Sequence, residues 1–169
     1  MARRRYYRRS VRTYPKKKWA SNLLQGTIGA GTDDSIALVS NSSQSATPTP
    51  IIVKAGNFKV QGDVTIVSST VTSAVVNVFL LYAPEGIGAS STALTSSLSA
   101  HPEWVMGWTT VDAPTISSGS SWQGANKFSI STRLKRNLNS GDKIYLFVQY
   151  SSGVSVRCDY TAQWFTCAN

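Results

Sequence analysis

Val75-Val76-Asn77-Val78-Phe79-Leu80-Leu81-Tyr82 is nearly continuous in apolar residues. A short apolar run bounded by turn residues predicts a central strand buried on both faces. Pro84 and Gly86 end it, because proline lacks the ladder donor and glycine allows dihedrals closed to other residues. Upstream, Phe58-Lys59-Val60-Gln61-Gly62-Asp63-Val64-Thr65-Ile66 alternates apolar and polar, as a half-buried strand does. Working outward, further strands are predicted over 22–30, 35–40, 104–111, 127–134, 143–151 and 154–165. The first two are split by Gly29, Gly31 and Asp33-Asp34.

The serine-rich stretch 90–100 is the one predicted helix. Residues 41–50 (Ser/Thr/Pro) and 114–124 (Ser/Gly) read as surface loops. Asn139-Ser140-Gly141-Asp142 is a predicted tight turn, and Ser151-Ser152-Gly153 is another, which would make the last two strands a hairpin. Trp104 and Trp108 lie four apart; on a strand they would share a face and pack as a core pair, and helical spacing would also align them. Eight strands without a repeated helix predict an all-β fold: a single antiparallel sandwich or barrel, with the strand number of a jelly roll. The body is rich in Ser, Thr, Val and aromatics and poor in Glu, Lys and Met, which favours strands. About 150 residues remain after the basic start, enough for one domain with a real core.

The charge is unevenly placed. Arg3, Arg4, Arg5, Arg8, Arg9, Arg12, Lys16, Lys17 and Lys18 carry nine positive charges with no carboxylate among them, which accounts for the formal net charge of +9. The remaining eight basic residues are matched by eight acidic ones. Residues 1–18 are therefore expected to be a disordered arm, and residues 19–169 a folded domain of no net charge. A polycationic arm on a neutral body is suited to holding a polyanion without reading its sequence. Tyr6, Tyr7, Tyr14 and Trp19 are interleaved with the cations. Rings offer stacking platforms for unpaired bases, so the mixture points to single-stranded nucleic acid. Trp19, at the junction, could instead pack on the body. Pro15-Lys16-Lys17-Lys18, with the upstream arginines, has the form of a nuclear import signal, a pattern common among short basic runs. Arg133, Lys135 and Arg136 form a second basic cluster, either a solvated strand end or a phosphate contact beside the arm. Arg133 and Lys135 would share one strand face and Arg136 the other, if the strand extends that far.

Several chemistries lack support. The lone histidine, His101, precedes Pro102 in a predicted loop and is expected to be solvated; no reactive-serine elbow or nucleophilic cysteine context accompanies it. The acids are scattered, mostly at turns. Asp33-Asp34 could face a cation but fits a loop better. The early glycines lack the lysine and helix of a phosphate loop. Cys158 and Cys167 fit no zinc or redox spacing and read as two reduced thiols in or near a terminal strand, the alternative being a disulfide that would close only a small loop. No enzyme activity, metal or cofactor is expected. No run approaches the ~18 apolar residues of a membrane span, so no membrane insertion is expected. No apolar segment follows the basic start as in a signal peptide, and the blocked arginines lack the stripe of a transit peptide.

Four stretches together carry a resemblance: the Arg-rich start, Val78 to Gly86, Pro102-Glu103-Trp104-Val105-Met106-Gly107-Trp108, and Arg136-Asn137-Leu138-Asn139-Ser140-Gly141-Asp142-Lys143-Ile144. In this order they resemble the capsid proteins of small circular single-stranded DNA viruses, the circovirus-like, Rep-encoding group. The resemblance implies a single jelly roll that assembles into a T=1 icosahedral shell of about 60 copies around circular DNA. It implies a protein of the virion and, during assembly, of the host nucleus. A nuclear import receptor and a host cell-surface receptor would be further partners. The chain and its arm are shorter than the better-known circovirus pattern, which leaves surface loops, receptor and host open.

Two other functions compete. A cellular, non-sequence-specific nucleic-acid-binding β-sandwich should show a basic body surface, and the neutral sum of the body weighs against it. A secreted lectin-like sandwich is disfavoured by the blocked cations and the absent signal segment.

Overall fold

Alternating inward side chains give this chain two sheets that can only be buried against each other. The computed structural model describes residues 19–29, 34–42, 52–66, 73–114, 125–150 and 155–168. The strands are β1 (Ala20–Gly29), β2 (Ser35–Ser40), β3 (Val53–Ile66), β4 (Ser73–Ala83), β5 (Val105–Pro114), β6 (Asn126–Leu138), β7 (Lys143–Tyr150) and β8 (Val156–Ala168). Helix α1 (Ser91–Ala100) and a 3-10 turn (Pro102–Trp104) lie between β4 and β5. One sheet runs β1-β8-β3-β6 and the other β2-β7-β4-β5. All pairings are antiparallel. Every consecutive pair of strands except β4 and β5 changes sheet, which is the order of an eight-stranded jelly roll.

Val60, Val64 and Ile66 of β3, Val76, Val78 and Leu80 of β4, Leu146 of β7 and Ala162 of β8 meet in one buried cluster between the sheets. Each buried Val, Leu or Ile side chain here stabilises the fold by roughly 1.5–3 kcal/mol relative to exposure. A second, smaller cluster lies on the outer face of the β2-β7-β4-β5 sheet. There Leu81, Ala83, Tyr145 and Phe147 pack under Leu94 of α1. The two-sided burial predicted for β4 thus holds beneath the helix, whereas Val75 at the far end of the same face is exposed. Ser90 starts the helix as expected, its hydroxyl accepting from the Ala93 N–H. Among the described turns, Gly86 (φ 92°) follows Pro84, and Gly141 (φ 85°) lies in the β6–β7 connection.

Several expectations need correction. β7 and β8 are not a hairpin: β7 pairs with β2 and β4, and β8 with β1 and β3. Both carry long apolar faces, and facing each other across the core buries those faces where side-by-side pairing would not. Ser151–Gly153 lies outside the described residues, as do Asp33 and most of the two predicted surface loops. Trp104 and Trp108 are not a core pair. Trp104 sits in the 3-10 turn, edge-on to the Tyr82 ring. Trp108 faces outward on β5, 62% exposed and stacked on Phe79. A register shift at Met106, opposite Leu80 and Leu81, accompanies the change. His101 is not simply solvated, for its ring stacks on Trp104 at 3.9 Å between centroids. Finally, β3 and β6 are longer than predicted, so Arg133, Lys135 and Arg136 lie within a strand rather than at its frayed end.

Candidate nucleic-acid interface

The outer face of the β1-β8-β3-β6 sheet is laid out in rows by its registers. Phe165, Gly56 and Lys135 form one row, with Ser21 beside Phe165; Leu23, Gln163, Lys59 and Ser131 form the next. Beyond them come Gln25, Thr161, Gln61 and Ser129, then Thr27, Asp159, Asp63 and Lys127. Lys54 shares the outer face with Asn137, opposite it on β6. Lys54 and Lys59 are five residues apart and would face opposite sides of a regular strand. They face the same side because β3 carries an extra residue relative to β8 between Gly56 and Lys59, where Asn57 adopts φ 55°. Ala55 and Phe58 on either side of this bulge stay buried.

The body is neutral in sum but polarised in space. Among the described residues, six cations, Lys54, Lys59, Lys127, Arg133, Lys135 and Arg157, share this face with two carboxylates, Asp63 and Asp159. The carboxylates cluster at one end. Arg157 Nε lies 2.9 Å from Asp159 Oδ2, and the Thr27 hydroxyl donates to the same carboxylate. Partial burial alone would raise the Asp159 carboxyl, but Thr27 and Arg157 outweigh it and hold it below the usual range. Asp63 lies in register with Lys127. The opposite end, where β1 begins, carries Lys54, Lys59, Arg133 and Lys135, with no Asp or Glu beside them among the described residues.

Trp19 stands at that junction, 39% exposed. The Lys135 ammonium lies 5.2 Å from the centre of its ring. Gly56 makes this reach possible: a Cβ there would come within 2.5 Å of Lys135 Cγ, so the bare backbone leaves a trough across β3. Arg136 points away from Arg133 and Lys135. Its guanidinium lies 5.4 Å from the centre of the Tyr82 ring and donates to the Glu103 carbonyl, tying β6 to the 3-10 turn.

Of the residues singled out in the sequence, the structure brings together Trp19, Arg133 and Lys135. It places Arg136 at the end of the sandwich. Arg3, Arg4, Arg5, Arg8, Arg9, Arg12, Lys16, Lys17, Lys18, Tyr6, Tyr7 and Tyr14 lie outside the described residues. Lys54 and Lys59 were not singled out, being isolated in sequence and aligned only by the bulge. Among the described residues, no group of three or more His, Cys, Asp or Glu side chains could hold a metal ion, and no helix is long and apolar enough to cross a membrane. Cys158 and Cys167 are both buried in β8 and not joined by a disulfide.

Compared with known proteins, the chain matches no family model and no curated protein. Among solved structures, the crystal structure of a decameric BFDV capsid protein is similar over 90% of this chain and 99% of that one, with a TM-score of 0.24 and 8% identity. A likeness that weak carries no argument by itself.

Proposed function

We propose that this chain is a viral capsid protein that self-assembles into a T=1 shell and packages circular single-stranded DNA through its basic N-terminal arm. The observation that carries this reading is the division of charge: nine uncompensated cations precede the first strand of a jelly roll whose remaining charges cancel. The four stretches that resemble circovirus-like capsid proteins support it in the same direction. Assembly buries surface between about 60 equivalent copies, and closed symmetry needs no further component. Inside the shell, arms displace counterions from phosphate, and weak single contacts become strong through their number. The same basic residues would address the protein to the host nucleus before assembly.

Negative-stain imaging and sedimentation of the purified full-length protein test this. Uniform particles that protect DNA from nuclease are expected; a monomer that never assembles would sink the shell. That outcome would favour the cellular nucleic-acid-binding sandwich, which gains one observation, the cationic face on the body itself.

A further inference from the structure

We infer that the arm-proximal half of the outer β1-β8-β3-β6 face is a second phosphate-binding surface, built from Lys59, Arg133 and Lys135 with Lys54, on which a nucleic-acid single strand continues after leaving the arm. This deepens the nucleic-acid-binding part of the proposed function and rests on it. Three features carry it. Lys59, Arg133 and Lys135 are exposed, and among the described residues no Asp or Glu side chain shares their half of the face. The strands lie ~4.8 Å apart and outward residues recur roughly every 7 Å along each, so the four cations form a compact patch. The patch also abuts an aromatic platform. Trp19 lies under Lys135, and Phe165 lies in the Gly56–Lys135 row. Cations beside partly exposed rings suit a backbone with unpaired bases better than a duplex. Gln163, Ser131 and Asn137 supply neutral hydrogen-bonding groups between the charges.

The other half of the face serves as an internal control, since Lys127 and Arg157 are offset there by Asp63 and Asp159. Binding of a labelled oligothymidylate to the full chain, across a series of NaCl concentrations, tests the assignment. The triple variant Lys59→Gln, Arg133→Gln, Lys135→Gln should flatten the slope of log K against log salt by about 2, at about 0.7 per phosphate contact. It should also weaken affinity by on the order of a hundredfold at ~0.1 M salt. The pair Lys127→Gln, Arg157→Gln should bind as the unmodified chain does, and the exchange Lys59→Arg, Arg133→Lys, Lys135→Arg should keep the slope. Unaltered binding by the triple variant, or equal losses in both Gln variants, overturns the second surface while leaving the arm's role intact. An unmodified chain with no salt-dependent binding overturns the parent reading instead.

Discussion

Asp142 accepts hydrogen bonds from the Tyr82 hydroxyl (2.9 Å), the Glu85 N–H (3.1 Å) and the Asn139 N–H (2.8 Å), and is 3% exposed. One carboxylate thus joins the end of β4, the turn after it and the β6–β7 connection. Burial, and secondarily Asp142, push the Tyr82 phenol up to about 12; burial and Asp34 do the same to Tyr150. Both folded values lie above the free phenol's ~10. The stability they contribute is therefore complete below pH ~10 and is lost as pH rises toward 12. A base titration followed by phenolate absorbance should show these two tyrosines ionising only as the fold is lost. In Asp142→Ala, Tyr82 should ionise earlier but still above an exposed phenol, because burial is the larger cause. An unshifted Tyr82 in that variant would refute the coupling. Cys158 follows the same logic, its buried thiol pushed up to about 12, which keeps it protonated and poorly reactive at neutral pH.

At the scale of the element, β3 shows how one residue reorganises a face. Asn57 tolerates positive φ because its short polar side chain can bond locally, and a β-branched residue cannot adopt that conformation cheaply. Asn57→Val should destabilise by roughly 1–3 kcal/mol in urea unfolding, whereas Asn57→Gly should stay within about 1 kcal/mol. Equal midpoints for the two variants would mean the bulge is not under conformational constraint. The element types were legible in the sequence: apolar runs and alternation between turn residues marked eight strands, and the serine-rich stretch 90–100 marked α1. Strand ends were less so. β3 begins five residues before its alternating run and β6 ends four residues after its predicted limit, because backbone pairing with β8 and β3 continues where the side-chain pattern stops.

At the scale of the whole molecule, the proposed function assigns nucleic acid to the basic arm and assembly to the folded body. Deleting residues 1–18 should leave the jelly roll folded by circular dichroism, since all eight strands and the buried core lie within residues 20–168. The truncated chain should lose DNA content, and the salt slope should fall by about 6 if all nine cations contact phosphate. Full nucleic-acid retention would refute the arm's role. From residue order alone came the all-β class, the strand count, the cationic arm and the neutral total, since each is a local pattern or a sum. Tertiary structure alone decided the pairing of β8 with β1 and β3, the outward turn of Trp108 and the unequal charge of the sheet faces. Those depend on which strands lie side by side and on the parity of a single bulge, and neither is encoded in the spacing of Lys54, Lys59, Arg133 and Lys135 along the chain.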